Sequence, residues 1–371
     1  MSERENNPDN KAVQQSVDQG QQALDPSQIS FSNGLAGFLA KNASSLGFTS
    51  YQTGRFYLLG HDTPQKLAVH ETFVERAMGI WGDAQRIYLG TLAHLLRYEN
   101  MLMPNQIANE TFDKVYVPRN IQTTGAVDIH ELAVQNDGKV VFINTKYSCL
   151  CELSLSFSFK PIWKPKFISA LVPEDRCHLN GLAMQDGKPK YVSAICRSDV
   201  VDGWRDRRHD GGIIIDVTND EIVAEGLSMP HSPRLFNGKL WILNSGTGEL
   251  GWIDQKKKSF VPFCFIPGFA RGLAFCDNHA IITLSKPRYG RFEGLDLDNK
   301  MQEKDADAWC GVQVIDLQTG AVKEWLRFDG AIQELFDICV LPGVKKPMTL
   351  GLQSKELKDT IAIETPAWAV H

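Results

Sequence analysis

Residues 178–194 read HLNGLAMQDGKPKYVSA, two short apolar segments on either side of an Asp–Gly pair. The first segment is rich in small apolar residues, and the second contains Tyr191 and Val192. Short runs with this composition, bounded by turn residues, are typical of two β-strands joined by a tight turn.

The same pattern recurs along the chain, with starts at residues 77, 128, 178, 231, 270 and 335. The second strand of a unit often ends in Asn, Thr or Ser. A repeat of about 40–50 residues that forms about four strands is the signature of a β-propeller blade. We therefore predict an all-β protein, a six-bladed β-propeller. A pair of β-sandwiches or a twin barrel is the alternative fold.

The sixth unit is incomplete, because only 20 residues follow MTLG at 348–351. The segments FTSYQTGRFYLLG (48–60) and KLAVHETF (66–73) are otherwise unassigned. We predict that these N-terminal strands close the last blade, since an open ring would leave sheet edges unpaired. One short helix is predicted over 35–47.

The composition is that of an ordinary globular protein: 371 residues, net charge -5, 43% hydrophobic and 22% charged. We predict a disordered polar tail over 1–30 and a single propeller domain over 31–371. The mild acidity argues against nucleic acid as a partner. No apolar run of about 18 residues predicts a membrane span. A cytoplasmic location is expected, because the first residues lack a signal sequence and the eight cysteines resemble free thiols.

Polar side chains gather where the first strand of each unit begins, near the predicted mouth of the central channel. Aligning the units places Asp128 level with His178, and both Asn180 and Arg271 level with His130. The residues expected at the mouth are His130, His178, His231, Asn180, Arg271 and a carboxylate from Asp128, Asp337 or Glu334.

Three histidines at corresponding positions predict a metal site on His130, His178 and His231. Neutral imidazole binds zinc, copper and iron well, and three protein ligands leave a position open for water or substrate. We expect a divalent transition metal (Zn, Cu, Fe or Mn), with Asn180 as a further cofactor-binding residue. The alternative is that these side chains only satisfy strand-end amides and channel water.

Arg271, Asp128 and Asp337 are the predicted catalytic residues. Arg271 suits a substrate carboxylate or phosphate, and the carboxylates are expected to orient an imidazole or to move a proton. The charged segment SDVVDGWRDRRHDGG (198–212) is either a lid that carries Trp204 or a solvated loop.

Four segments carry a resemblance to a bacterial family of conserved hypothetical proteins with a domain of unknown function. They are RCHLNGLAM (176–184), GLSMPHSPRLFNGKLWILNSGTGELG (226–251), PGFARGLAF (267–275) and LPGVKKPM (341–348). The resemblance covers about residues 31–351 and implies a β-propeller. HLNGLAM is also similar, more distantly, to gluconolactonase and strictosidine-synthase-like six-bladed propellers. That resemblance implies a metal at the channel top with Glu, Asn and Asp ligands, which His178 and Asn180 match in part.

The predicted function is that of a metal-dependent lyase or hydrolase acting at the channel mouth on a small polar molecule or modified peptide. A histidine-lined channel is similar in fold and residue type to propeller lyases, an analogy with peptidyl-hydroxyglycine lyase and oligogalacturonate lyase. The alternative function is a non-catalytic module that binds a peptide or a partner protein. The sequence leaves the oligomeric state open.

Overall fold

In the computed structural model, which describes residues 28–288, 290–292 and 294–364, six sheets form a ring. The prediction of a six-bladed β-propeller is confirmed. We number the blades 1 to 6 in the order in which their innermost strands occur along the chain.

The chain first forms β1 (Ile29–Phe31), the helix α1 (Leu35–Lys41) and three strands of blade 6, which are β2 (Ser44–Ser50), β3 (Arg55–Thr63) and β4 (Lys66–Phe73). Blade 1 contains β5 (Ile80–Gly82), β6 (Arg86–Gly90), β7 (His94–Asn100) and β8 (Lys114–Thr123). Blade 2 contains β9 (Ile129–Val134), β10 (Val140–Asn144), β11 (Cys149–Glu152) and β12 (Lys160–Trp163). Blade 3 contains β13 (Leu179–Gln185), β14 (Lys188–Ala194), β15 (Gly212–Asp216) and β16 (Glu221–Leu227).

Blade 4 contains β17 (Pro230–Phe236), β18 (Lys239–Asn244), β19 (Glu249–Asp254) and β20 (Ser259–Phe265). Blade 5 contains β21 (Phe269–Cys276), β22 (His279–Ser285), the helix α2 (Asp296–Glu303), β23 (Cys310–Asp316) and β24 (Val322–Phe328). The last strands are β25 (Ile338–Pro342) and β26 (Pro347–Thr349). Short 3₁₀ turns occur at Arg205–Arg207, Ser245–Thr247 and Lys355–Lys358.

Both ends of the described chain close the ring. β25 is the innermost strand of blade 6 and pairs with β2, from Ile338 opposite Phe48 to Pro342 opposite Ser44. The predicted closure by N-terminal strands is therefore confirmed. β26 then pairs in parallel with β8 in blade 1, and β1 extends blade 5 by pairing with β24. Together these pairings cover edges that would otherwise stay open.

Two boundaries differ from the predictions. Ile29 and Ser30, predicted as part of a disordered tail, belong to β1, because they pair with Phe328 and Arg327 and Ile29 packs on the core. The rest of the predicted tail up to residue 27, and residues 365–371, lie outside the described chain. The predicted helix over 35–47 ends at Lys41, since residues 44–50 are all buried and pair with β25 and β3.

The core lies between neighbouring blades, where the middle strands are apolar on both faces. Every residue of β10 and of β15 is buried. Burying one such Val, Ile or Leu side chain contributes about 1.5–3 kcal/mol. All eight cysteines are free thiols, and seven of them are buried. No helix among the described residues has the length and apolar character needed to span a membrane.

Hydroxyl groups at the ends of second strands tie neighbouring blades together at the channel mouth. The Thr145 hydroxyl donates to Leu179 O at 2.6 Å, and the Ser245 hydroxyl donates to Ala270 O at 2.5 Å. The Ser285 hydroxyl does the same to Leu335 O at 3.0 Å. In each case the acceptor belongs to the next blade or to the segment that leads into it, which explains the recurring Thr and Ser.

Glycines in the odd-numbered blades bring the inner strands close together around the channel. A Cβ atom on Gly79 would lie 2.9 Å from His130 O, and one on Gly272 would lie 2.8 Å from Ile338 N. A Cβ on Gly181 would lie 3.1 Å from Ser232 N. Each odd blade therefore touches the next even blade through a glycine, and the side chains that fill the channel come from blades 2, 4 and 6.

Candidate functional site

The mouth of the channel is the end at which the innermost strands begin. Asp128, His178 and Met229 immediately precede β9, β13 and β17 and have φ angles of 55°, 49° and 48°. The strand pairings Asn144–Ile129, Ala194–Leu179 and Asn244–Pro230 put these three left-handed residues at one level. The predicted alignment of Asp128 with His178, and of His130 with Asn180, is confirmed by this register.

Leu284 pairs with Ala270 as Asn144 pairs with Ile129, so Arg271 is level with His130, as predicted. One part of the predicted alignment is corrected. His178 lies two residues before the level of His130 and His231. Only these last two histidines are therefore equivalent, and His178 enters the site from the turn that precedes its strand.

His130 and His231 are held by the same local motif. His130 Nδ1 contacts Asp128 O at 3.2 Å and the Thr145 hydroxyl at 2.8 Å. His231 Nδ1 contacts Met229 O at 2.8 Å and the Ser245 hydroxyl at 3.1 Å. Since a carbonyl only accepts, Nδ1 carries the proton in both rings and Nε2 has a free lone pair.

His178 has a different partner. Its Nδ1 donates to Asp175 Oδ2 at 2.8 Å, and the same oxygen accepts a hydrogen bond from Trp204 Nε1 at 2.9 Å. The rings of Trp204 and His178 are 4.3 Å apart. Asp175 was not predicted from the sequence, and the available signal was an acidic residue three positions before the histidine. The carboxylate fixes the tautomer, so His178 Nε2 is also the free nitrogen when the ring is neutral.

Asp128 acts through its backbone rather than through its carboxylate. Its carbonyl accepts from His130, whereas its carboxylate pairs with Arg76 at 2.8 Å. The carboxylate that orients an imidazole is that of Asp175 instead. The prediction of Asp128 as a catalytic carboxylate is therefore not supported by its contacts.

Burial keeps two of the three imidazoles neutral. Desolvation lowers the pKa of His130 well below its ordinary value, and nearby His178 lowers it further. Burial, followed by the positive charge of Arg271, lowers the pKa of His231 to about 3. The His130 and His178 rings meet edge to face at 4.9 Å. The structure thus brings together four predicted site residues, His130, His178, His231 and Arg271.

Arg271 is fixed by one carboxylate and three aromatic rings. Its Nη1 donates to Glu334 at 3.0 Å, and its guanidinium lies 4.9–5.7 Å from the ring centres of Phe269, Tyr51 and Phe336. Glu334 also accepts from Arg288 Nε at 2.9 Å. Two guanidinium groups therefore share one carboxylate, which leaves this side of the mouth with a net positive charge.

The metal predicted on His130, His178 and His231 stays a prediction. In the described part of the chain, no three His, Cys, Asp or Glu side chains are placed to hold one metal ion. Asn180 uses both ends of its amide within the fold, since Nδ2 donates to Pro230 O at 2.9 Å and Oδ1 accepts from Ser193 at 2.6 Å. The imidazole tautomers suit metal ligands, whereas Asn180 has no free polar group for the predicted cofactor-binding role.

Asp337 lies in a separate buried cluster with Glu131 and Arg234, one residue from each even blade. Asp337 accepts from the backbone N–H groups of Ile80 and Ile338 at 2.9 and 2.8 Å, and it lies 3.9 Å from Arg234. Arg234 also pairs directly with Glu131. Burial raises the pKa of both carboxyl groups, while Arg234 opposes the rise. Asp337 thus lies among the side chains that fill the channel, and its catalytic role stays a prediction. Glu334 is the carboxylate beside Arg271.

Comparison with known proteins agrees with the fold and the sequence resemblance. A family model described as "Domain of unknown function (DUF4915)" matches residues 33–350, most of the chain. The chain belongs to the DUF4915 family. Among curated proteins, none matches the sequence of this DUF4915 protein.

Solved structures similar to the DUF4915 protein include three with very different titles. A chain of a nidogen/laminin complex has a TM-score of 0.50 and 11% identity, covering 81% of this chain and 99% of that one. A protein of unknown function from Bacteroides caccae has a TM-score of 0.46 and 10% identity, covering 80% and 98%. An inactive variant of virginiamycin B lyase from Staphylococcus aureus with quinupristin has a TM-score of 0.37 and 10% identity, covering 72% and 77%. At these identities the similarity bears on the fold alone.

Two insertions border the mouth of the DUF4915 propeller. The blade 3 insertion between β14 and β15 carries Trp204, which covers one face of His178. The blade 5 insertion contains α2 and approaches the first at Gly294, whose added Cβ would lie 3.6 Å from Arg208 and 3.7 Å from His209. The segment 198–212, predicted as either a lid or a solvated loop, therefore adjoins His178, and it meets the second insertion at Arg208 and His209.

Proposed function

We propose that this protein is an enzyme of the lyase or hydrolase class that acts on a small polar anion at the mouth of the channel. The observation that carries the proposal is the common tautomer of three neighbouring histidines. All three Nδ1 atoms are occupied by carbonyl, hydroxyl or carboxylate groups. Within the described residues, none of the three Nε2 atoms has a hydrogen-bond partner, so they are available to a substrate.

His178 is the proton-accepting group in this proposal, because it alone has a carboxylate on Nδ1. An imidazole that takes a proton at Nε2 becomes a cation, and Asp175 stabilises that cation through the hydrogen bond at 2.8 Å. His130 and His231 have only neutral partners and low pKa values. They remain neutral and accept hydrogen bonds from the substrate.

Arg271 is the group that binds the substrate anion. Glu334 and the surrounding aromatic rings fix its guanidinium, so little ordering is left to occur on binding. A substrate held there would present a C–H, O–H or bound water proton to His178. Removal of a C–H proton leads to elimination, and deprotonation of water leads to hydrolysis.

The steps of this proposal use only side chains of the protein, and among the described residues no group of three metal-ligating side chains is found. We therefore expect activity to survive a chelator. Protein that retains about one equivalent of transition metal, and loses it in His178→Gln, would overturn this part of the proposal.

The test is a screen of small carboxylates that carry ester, lactone or β-leaving groups, with product analysis by mass spectrometry. Hydrolysis adds the mass of one water molecule, whereas elimination leaves a conjugated double bond that absorbs in the ultraviolet. His178→Gln is expected to lower the rate by about 10²–10⁴-fold, the contribution of a general base. Asp175→Asn should lower it as well, while His94→Gln in blade 1 should not.

The alternative, a non-catalytic binding module, gives a different result in the same screen. Compounds would then bind at the mouth and be recovered unchanged, and the His178→Gln variant would differ from wild type in affinity only.

A further inference from the structure

We propose that the ligand of this site is a hydroxy- or amido-carboxylate, a small anion that also carries several O–H or N–H donors. The inference rests on the proposed function for the location of the site. It adds the chemical class of the ligand, which follows from which protein atoms are left without partners.

The three histidines offer acceptors only. The Thr145 hydroxyl already donates to Leu179 O, and the Ser245 hydroxyl already donates to Ala270 O. Both hydroxyls therefore receive the Nδ1 proton of their histidine and cannot reverse the direction of the bond. With the third Nδ1 on a carboxylate, the three Nε2 lone pairs are left for a ligand.

A ligand without donors would leave these lone pairs unsatisfied when it displaced water. An unpaired buried acceptor costs more than a hydrogen bond contributes, so the site selects for ligands with donors at matching places. Alkyl carboxylates meet only the requirement of Arg271, and neutral polyols meet only the requirement of the histidines.

The free edge of Arg271, rather than the total charge of the mouth, favours an anion, since the Asp175 carboxylate also lies at this site. Arg271 and Arg288 share the single negative charge of Glu334, and Arg76 neutralises Asp128. Of the three guanidinium nitrogens of Arg271, only Nη1 has a hydrogen-bond partner among the described residues. Its remaining N–H edge is planar and pre-oriented, which fits a planar carboxylate better than a spherical charge.

The experiment compares matched probes that separate the two requirements. Gluconate carries hydroxyls and a carboxylate, hexanoate carries only the carboxylate, and sorbitol carries only hydroxyls. Glycerate, propionate and glycerol repeat the comparison at a smaller size. Affinity is measured by calorimetry, and ¹⁵N spectra of histidine-labelled protein report hydrogen bonding at each Nε2.

At least one hydroxy acid is expected to bind about tenfold or more tightly than both partial probes of its size, since a single satisfied charged group has that effect. It should also shift the Nε2 resonances of His130, His178 and His231. Arg271→Met should reduce the affinity for the hydroxy acid to that of the polyol. Arg327→Met in β24, an outer strand of blade 5, should leave the affinity unchanged.

Four results would overturn the inference. Three of them are equal binding of hexanoate and gluconate, unchanged affinity of the hydroxy acid for Arg271→Met, and Nε2–H tautomers in the free protein. Failure of every probe to bind would do so as well. If Arg271→Met does not fold, Arg271→Lys and the ¹⁵N spectra of the wild type decide the question. Binding without turnover would leave this inference intact and refute the proposed enzyme activity, so the two can fail separately.

Discussion

Arg234 holds two buried carboxylates at the centre of the channel, and its removal should destabilise the propeller strongly. The guanidinium pairs with Glu131, lies 3.9 Å from Asp337, and donates to Leu182 O at 3.1 Å. Arg234→Met keeps a side chain of similar volume but leaves both carboxylates without a counter-charge. Breaking a buried pair in this way costs about 3–5 kcal/mol, which is a large share of the 5–15 kcal/mol that typically stabilises a domain.

The loss should depend on pH, with a sign fixed by the direction of the pKa shifts. Burial raises the folded-state pKa of both carboxyls above their unfolded values. Such groups contribute their stability in full below the unfolded pKa of about 4 and lose it as pH rises through the folded pKa. Without Arg234 these folded pKa values rise further. The deficit of Arg234→Met should therefore be small in acid and grow as pH increases.

The assay is urea unfolding, followed by tryptophan fluorescence and circular dichroism, at several pH values. Arg327→Met is the matched control, since its partner Asp329 lies 2.7 Å away in an exposed ion pair worth no more than about 1 kcal/mol. The triple variant Glu131→Gln, Arg234→Met, Asp337→Asn should recover much of the loss and flatten the pH dependence. If Arg234→Met costs no more than the control, or if its deficit is the same at every pH, the reasoning is wrong.

Two further predictions concern the lid and the close approach of the blades. Trp204→Ala should increase the rate at which diethyl pyrocarbonate modifies His178, because the indole covers one face of that ring at 4.3 Å. The rate is measured by peptide mass spectrometry. Trp163→Ala is the control, since it also removes an indole that donates to an aspartate, and it should leave the rate unchanged. Gly181→Ala should cost about 1–3 kcal/mol of stability through overpacking, since the added Cβ would overlap blade 4. Gly37→Ala, whose added Cβ has its nearest contact at 3.4 Å, should not destabilise the protein. Equal melting temperatures for the two variants would contradict this account.

The repeat of short apolar strands was sufficient to predict the blades, because each hairpin contains its own turn residues and its own alternation of apolar and polar residues. Closure was also predictable, since β2, β3 and β4 had no partners of their own. The strand β1 was not, because three residues are too few to show a period. The segment of β26 was predicted as the second strand of the sixth unit, but it pairs with β8 in blade 1. Both are strands only because the edges of blades 5 and 1 provide hydrogen-bond partners.

The candidate site was predictable in part for the same reason. His130 and His231 follow from the repeat, because each lies two residues after a left-handed residue at a strand start. The level of Arg271 follows from the repeat as well, because Gly272 corresponds to Gly181 and Ala270 pairs with Leu284. Asp175 lies outside any strand, and only the fold of the preceding loop brings it to His178.

The same strands carry the buried cluster of Glu131, Arg234 and Asp337 and the candidate site at the channel mouth. Glu131 directly follows His130, and Asp337 directly follows Phe336, whose ring lies 5.2 Å from His130 and 5.7 Å from Arg271. The strands that place the imidazole and the aromatic wall are thus fixed by the same ion pairs that fill the channel below them. Both long insertions also lie at this end of the ring. We therefore expect a ligand to enter and leave by this mouth, because Glu131, Arg234 and Asp337 fill the channel below it.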